Sequence, residues 1–275
     1  MGLCAMINNL KTSSIKVLIR GGGDLASGVA WRLHVSGFKV IITELKRPMA
    51  VRRTVSFCEA VYDGQAEVEG VKGLFAVDAH GIPAVWAKGC IAVMVDPEAE
   101  VHHAIRPEVL VDAILAKKNL GTATSHARLV IALGPGFEIG KDAHFVVETN
   151  RGHRLGRLLT SGSAQPDTGI PGPVQGITSD RVLRAPAPGT WETQKRIGDL
   201  VRQGDRVGLV DGHPVLSTID GLLRGLIRPG TIVSHGLKIG DVDPRADRSA
   251  CYTISDKALA IAGGVLEAIL RTFHC

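Results

Sequence analysis

Lys16-Val17-Leu18-Ile19-Arg20, followed at once by Gly21-Gly22-Gly23-Asp24-Leu25-Ala26-Ser27-Gly28, is the stretch whose reading decides the fold. The first five residues form a short apolar run that ends at glycines, which reads as a buried strand. Residues 25–36 then carry helical spacing, and Gly37 closes them as a C-terminal cap does. A second strand is expected over residues 38–43, giving one βαβ unit. The loop fits G-x-G-x-x-A at Gly21, Gly23 and Ala26, with Gly28 just inside the helix. Glu44 ends the second strand about twenty residues on, where a ribose-binding acid belongs. In such a turn the free N–H groups of a helix start face phosphate. Cofactor contacts are therefore expected from Gly21, Gly22, Gly23, Asp24, Leu25, Ala26, Gly28 and Glu44. Asp24 is awkward there, because a carboxylate repels phosphate; capping the helix, or holding a metal or substrate group, are its other readings. A scaffold that has lost its ligand is the bland alternative.

Working outward, the apolar runs 91–95, 109–115, 129–133 and 145–147 read as strands covered on both faces. Asp63-Gly64 and Glu67-Val68-Glu69-Gly70 suggest an added hairpin. The expected fold class is α/β, a Rossmann-like, mostly parallel sheet over residues 14–160. A Gly/Pro-rich ordered loop follows over 161–183, in which Ile170 and Val174 are suited to packing. Residues 198–208 then return as 230–240 at a constant offset of 32, matching Val201 to Val233 and Val207 to Ile239. That repeat predicts a biotinyl/lipoyl-like β sandwich over 184–248. The tip between its halves, Val210-Asp211-Gly212-His213-Pro214, holds no lysine to modify. A terminal helix is expected over 255–273, capped by Ser255 and interrupted by Gly263-Gly264.

Composition narrows the function. Of 275 residues 45% are hydrophobic and only 4% aromatic, which argues against the stacked rings of a single-strand nucleic-acid binder. The net charge of +5 suits a small anionic ligand, and no dense basic run points to nucleic acid. No apolar stretch reaches bilayer length, and nothing at the N-terminus reads as a signal peptide, so a cytoplasmic protein without a membrane partner is expected. The five cysteines lie far apart and read as reduced thiols. No metal site is predicted.

Downstream, Gly134 and Gly136 in Leu133-Gly134-Pro135-Gly136-Phe137 follow a strand, at the edge where α/β proteins bind ligands; a tight turn is the alternative. Glu148-Thr149-Asn150-Arg151-Gly152-His153-Arg154 is the most suggestive segment. Its arginines match carboxylate or phosphate, and His153, with Glu148 and Asp24, is a catalytic candidate for proton transfer. Arg151 is taken as a ligand contact. Lys46, Arg47, Arg52 and Arg53 read as a solvated basic face, with a second phosphate contact as the alternative. His102-His103 reads as surface, and Cys58 and Cys251 as inert packed thiols.

Nine strings, GGGDLASGVA, RRTVSFCEAVYDG, VDAILAKKNLGT, LGPGF, ETNRGH, TGIPG, LRGLI, GLKIGDVDPR and ISDKALAIAGGVLEAIL, resemble the YqeB-type family of accessory proteins for selenium-dependent molybdenum hydroxylases. The resemblance runs from about Ser14 to Leu270. It implies a maturation factor that binds a nucleotide or molybdopterin cytosine dinucleotide and meets the molybdenum hydroxylase apoenzyme, with homo-oligomers open. It supplies no reaction and no catalytic residue. An NAD(P)-dependent oxidoreductase of the same pathway and a non-catalytic docking scaffold stand as the other readings.

Overall fold

A computed structural model describes residues 12–169 and 172–273. The expected packing of Ile170 lies outside the described residues. The glycine loop links strand β1 (Lys16–Arg20) to helix α1 (Asp24–Val35), which returns to β2 (Lys39–Glu44). Then follow α2 (Ala60–Asp63), the hairpin β3 (Gln65–Val68) and β4 (Val71–Phe75), α3 (Ile82–Ala87), β5 (Ile91–Val95) and α4 (Val101–Ile105). The strands β6 (Val109–Asp112), β7 (Leu129–Leu133), β8 (Phe145–Val147) and β9 (Leu158–Leu159) complete the first part.

These strands form one nine-stranded sheet in the order β3-β4-β5-β2-β1-β6-β7-β8-β9. Strands β4 to β8 are mutually parallel around β1 and β2, while β3 and β9 pair antiparallel at the two edges. The runs are apolar throughout because both faces are covered. Val17, Ile19, Val40, Ile42 and Ile131 pack under α1 and the terminal helix α5 (Asp256–Phe273). Leu18, Ile41, Leu110 and Val130 pack against Ile82, Val85 and Phe137 on the other side. Gly28 on α1 allows the two long helices to touch, since a Cβ there would lie 2.7 Å from the Ala258 Cβ. Ser255 Oγ accepts from the Ala258 N–H at 3.2 Å and caps α5.

The remaining strands, β10 (Val182–Arg184), β11 (Gly189–Glu192), β12 (Leu200–Val201), β13 (Arg206–Val210), β14 (His213–Leu216), β15 (Gly221–Leu226), β16 (Ile232–Val233) and β17 (Lys238–Asp243), make two four-stranded antiparallel sheets. Their orders are β10-β17-β15-β12 and β14-β13-β11-β16. The repeat of 32 residues maps β12 on β16 and β13 on β17, so each matched pair is split between the two sheets.

This arrangement corrects the expected class, a Rossmann-like sheet with a biotinyl/lipoyl-like sandwich. A doubly wound sheet takes a covering helix from each crossing. Here only the first crossing has a long helix; α2, α3 and α4 are single turns of four to six residues, and the crossings from β6 to β7 and from β7 to β8 contain no α-helix among the described residues. The missing cover comes from α5, at the far end of the chain. Nor do the antiparallel sheets form a free-standing carrier. Their tip folds back, with the Asp211 carboxylate accepting from the Thr190 N–H at 2.9 Å. They are also stapled to the large sheet: Arg53 Nε donates to the Leu226 carbonyl at 2.7 Å, and Arg228 binds Glu59 and Asp63. The molecule is a large mixed sheet joined to two antiparallel sheets and closed by one terminal helix.

Candidate functional site

A crevice of about 970 Å3 runs from the glycine loop to the antiparallel sheets. Around it Arg52, Lys117, Arg151, Arg181, Arg224, Lys238 and Lys257 outnumber the carboxylates of Asp24, Asp167 and Asp241 by four. A cavity of this sign and size attracts anions and concentrates them. A second chamber of about 710 Å3 adjoins it, sharing Gly23, Asp24, Leu25, Met49, Ala50 and Leu115. Its other walls are largely apolar, with Leu45, Pro48, Ile114 and Leu120 beside Glu44.

Gly23 stands where the two spaces meet. It is the N-cap of α1, no side chain caps the helix there, and a Cβ built on it meets nothing within 4 Å. The other loop residues are engaged inward. Gly21 needs its φ of +93° to pass the Ala113 carbonyl, and Gly22 lies against Ile42 and Cys58. Gly22 also donates its N–H to Glu44 Oε1 at 2.7 Å, and Leu45 donates to Oε2 at 2.8 Å. Glu44 therefore holds the loop in shape while its side lines the smaller chamber. Burial pushes its carboxyl up, against those two bonds. Ala26 lines the smaller chamber, whereas Gly28 packs on Ala258 and Ile254 instead of facing either space.

Asp24 sits in the first turn of α1, 3.6 Å from Arg52 Nη1. That pairing offsets its charge, so it does not repel an incoming anion as an isolated carboxylate would. The reading of Arg52 and Arg53 as solvated is corrected. Arg52 is 7% exposed, donates from Nη2 to the carbonyls of Ala250 and Thr253, and among the described residues keeps Nε and Nη1 without a hydrogen-bond partner. Burial, then the charge of Arg224, push its guanidinium down.

Of the segment after β8, only Asn150 and Arg151, with Thr149, reach the crevice. Arg151 makes a two-pronged bond to Asp256, 2.8 Å on each branch. His153 and Arg154 are exposed outside it. Glu148 is 1% exposed and accepts from the N–H groups of Asn150 at 2.7 Å and Gln165 at 2.9 Å, so it pins two loops at the crevice wall. Gly134 and Gly136 serve close contacts, with Thr149 and with the Lys117–Lys118 backbone. Their neighbour Pro135 is the lining residue. Cys58 is fully buried, and burial pushes its thiol well up. His102, His103 and His126 cluster elsewhere, beside Arg106 and Arg128. Among the described residues no group of three or more His, Cys, Asp or Glu is placed to hold a metal.

Arg181, Arg224, Lys238 and Lys257 were not singled out by motif. A signal did exist for three of them, though not for Arg181: each of the nine strings that carry the family resemblance contributes at least one residue to the crevice, Arg224 from LRGLI, Lys238 and Asp241 from GLKIGDVDPR, and Lys257 from ISDKALA among them.

No family model matches the chain. Over 94% of its length it is 48% identical to a protein of Escherichia coli K12 described as "Uncharacterized protein YqeB", of which it spans about half, 48%. Among solved structures, an aspartoacylase family protein from Mesorhizobium loti is 12% identical, covering 83% of this chain and 84% of that one with a TM-score of 0.26. The ectoine utilization protein EutE of Ruegeria pomeroyi gives 12%, 83%, 84% and 0.24. Overlaps this loose carry no argument about fold or chemistry. Along nearly its whole length this chain is therefore similar to about half of that protein.

Proposed function

We propose that this protein binds a phosphate-bearing nucleotide ligand in the crevice and acts as an accessory factor in the maturation of selenium-dependent molybdenum hydroxylases. The observation that carries the ligand reading is the pairing of Gly23 with Arg52. An uncapped helix start with an open Cβ position meets a buried guanidinium whose Nε and Nη1 make no hydrogen bond among the described residues, Nη1 having only the longer ion pair with Asp24. Buried donors without partners are costly, and a bound anion removes that cost. The heterocycle of such a ligand fits the adjoining apolar chamber beside Glu44. The maturation context rests on the family resemblance, and molybdopterin cytosine dinucleotide is the ligand it favours, with NAD(P) as the alternative. The oxidoreductase reading is the weaker one, because His153 stands outside the crevice and Glu148 is committed to two backbone donors.

Protein purified from its native host, then denatured, is the test. Absorbance and mass of the released material are expected to show a phosphate-bearing compound, present in the wild type and missing from Gly23→Val. A pterin spectrum supports the maturation reading and a nicotinamide mass supports the oxidoreductase. A preparation free of any nucleotide overturns both in favour of a scaffold.

A further inference from the structure

The far wall of the crevice is built by the antiparallel sheets, and its charges do not balance. Asp241, 3% exposed, is the shared partner of three cations: Arg181 bonds to it directly, Arg224 Nη1 lies at 3.6 Å and Lys238 Nζ at 3.8 Å. The neighbouring Asp243 lies 3.8 Å from Arg224 Nε and is bound by Arg245 at 2.6 Å. Four cations thus share these two carboxylates, Arg245 also lying in the field of Asp247 and Asp256. Arg181 is 9% exposed, and its Nε has no hydrogen-bond partner among the described residues. Arg224 has a side chain only 13% exposed. Like charges this close repel, more strongly at the buried Arg181 and Arg224 than at the part-exposed Lys238 and Arg245, and a further anion beside the buried pair relieves that repulsion.

We propose that Arg181, Arg224 and Lys238 form a second anion subsite, distinct from the Gly23–Arg52 subsite and opening on the same crevice. This rests on the nucleotide reading above and narrows its ligand: a nucleotide with a second anionic group, phosphate or carboxylate, on the side away from its base. Arg52 of the first subsite also feels the charges of Arg224 and Asp241, so the two subsites adjoin. Arg151 plays no part, being taken up by Asp256. The second subsite therefore selects for charge at the distal end, where an uncharged group would leave the guanidinium donors unpaired.

Calorimetric titration with inorganic pyrophosphate at low salt tests the inference without knowledge of the natural ligand. The wild type is expected to bind two ions per chain, Arg181→Gln one, and Gly23→Val one. Lys238 has a side chain 40% exposed. Its removal does not threaten the fold, and Lys238→Gln is expected to weaken the second site about tenfold, the equivalent of one charge-assisted bond. A single site that Gly23→Val abolishes overturns the second subsite and spares the nucleotide reading. Two sites that both survive Gly23→Val overturn the nucleotide reading, and the inference with it. The absence of any binding overturns both.

Discussion

At Gly23 the chain leaves a space that one methyl group would enter without touching protein. The backbone has φ −66°, which a β-branched residue adopts readily. Gly23→Val is therefore expected to fold, with stability changed by less than about 1 kcal/mol, while the valine fills the phosphate position and abolishes ligand binding. Thermal unfolding and a binding titration on the same preparation check the two halves. Lys257 offers a second prediction. Burial, then the nearby Arg151 charge, lower its ammonium from the ordinary lysine value, against Asp24, Asp167 and Glu148. The folded protein gives up this proton more readily than the unfolded chain, so stability from Lys257 grows as pH rises through its folded value. A bound anion reverses the shift. Binding of sulfate, which does not itself titrate there, just below the ordinary lysine range is expected to take up protons, seen as a dependence of binding heat on buffer ionisation enthalpy; that uptake is expected to be lost in Lys257→Met. At this scale the strand–glycine–helix turn was legible because the residues that shape it are neighbours in sequence. Arg52 was not, because the carbonyls that bury it belong to Ala250 and Thr253, some two hundred positions away.

At the scale of elements, periodicity reads well wherever an element is long or fully covered. The structure has β1, β5, β7, β8 and α5 at the places their apolar runs indicate, and Gly263-Gly264 is explained by Gly264, whose absent Cβ lets the Gly156 carbonyl and Val147 approach. Gly28 escaped that logic. It falls inside a phosphate-binding pattern and nevertheless serves helix packing, a role decided by α5 arriving from the other end of the chain. Gly28→Val is accordingly expected to cost about 1–3 kcal/mol by overpacking the α1–α5 contact. Binding of anions by the protein that remains folded should be unchanged. Denaturant unfolding and titration separate this from a ligand role, in which affinity would fall and stability hold.

The whole molecule was the hardest to read. Strand order depends on which crossings carry helices, and a helix from residues 256–273 covering β7 and β8 leaves no mark in the sequence near those strands. The repeat was visible, but its docking was not, since the contacts that seat the antiparallel sheets are single long-range pairs. Arg228 is the clearest of them, with Nη2 2.6 Å from Glu59, 2.5 Å from Asp63, and its guanidinium 4.4 Å from the Tyr62 ring. Arg228→Ala leaves the buried Glu59 short of its main partner. We expect a loss of about 1–3 kcal/mol and weaker anion binding at a distance, because the two walls of the crevice are no longer held in register.

The central claim is that an anion sits at the start of α1 beside Arg52. Crystals soaked in tungstate, a heavy tetrahedral oxyanion, test it most directly through anomalous diffraction. The account predicts a strong peak within hydrogen-bond reach of the backbone N–H groups at Gly23 and Asp24, lost in Gly23→Val. Peaks confined to exposed lysines and arginines, with the helix start empty in the wild type, would contradict it.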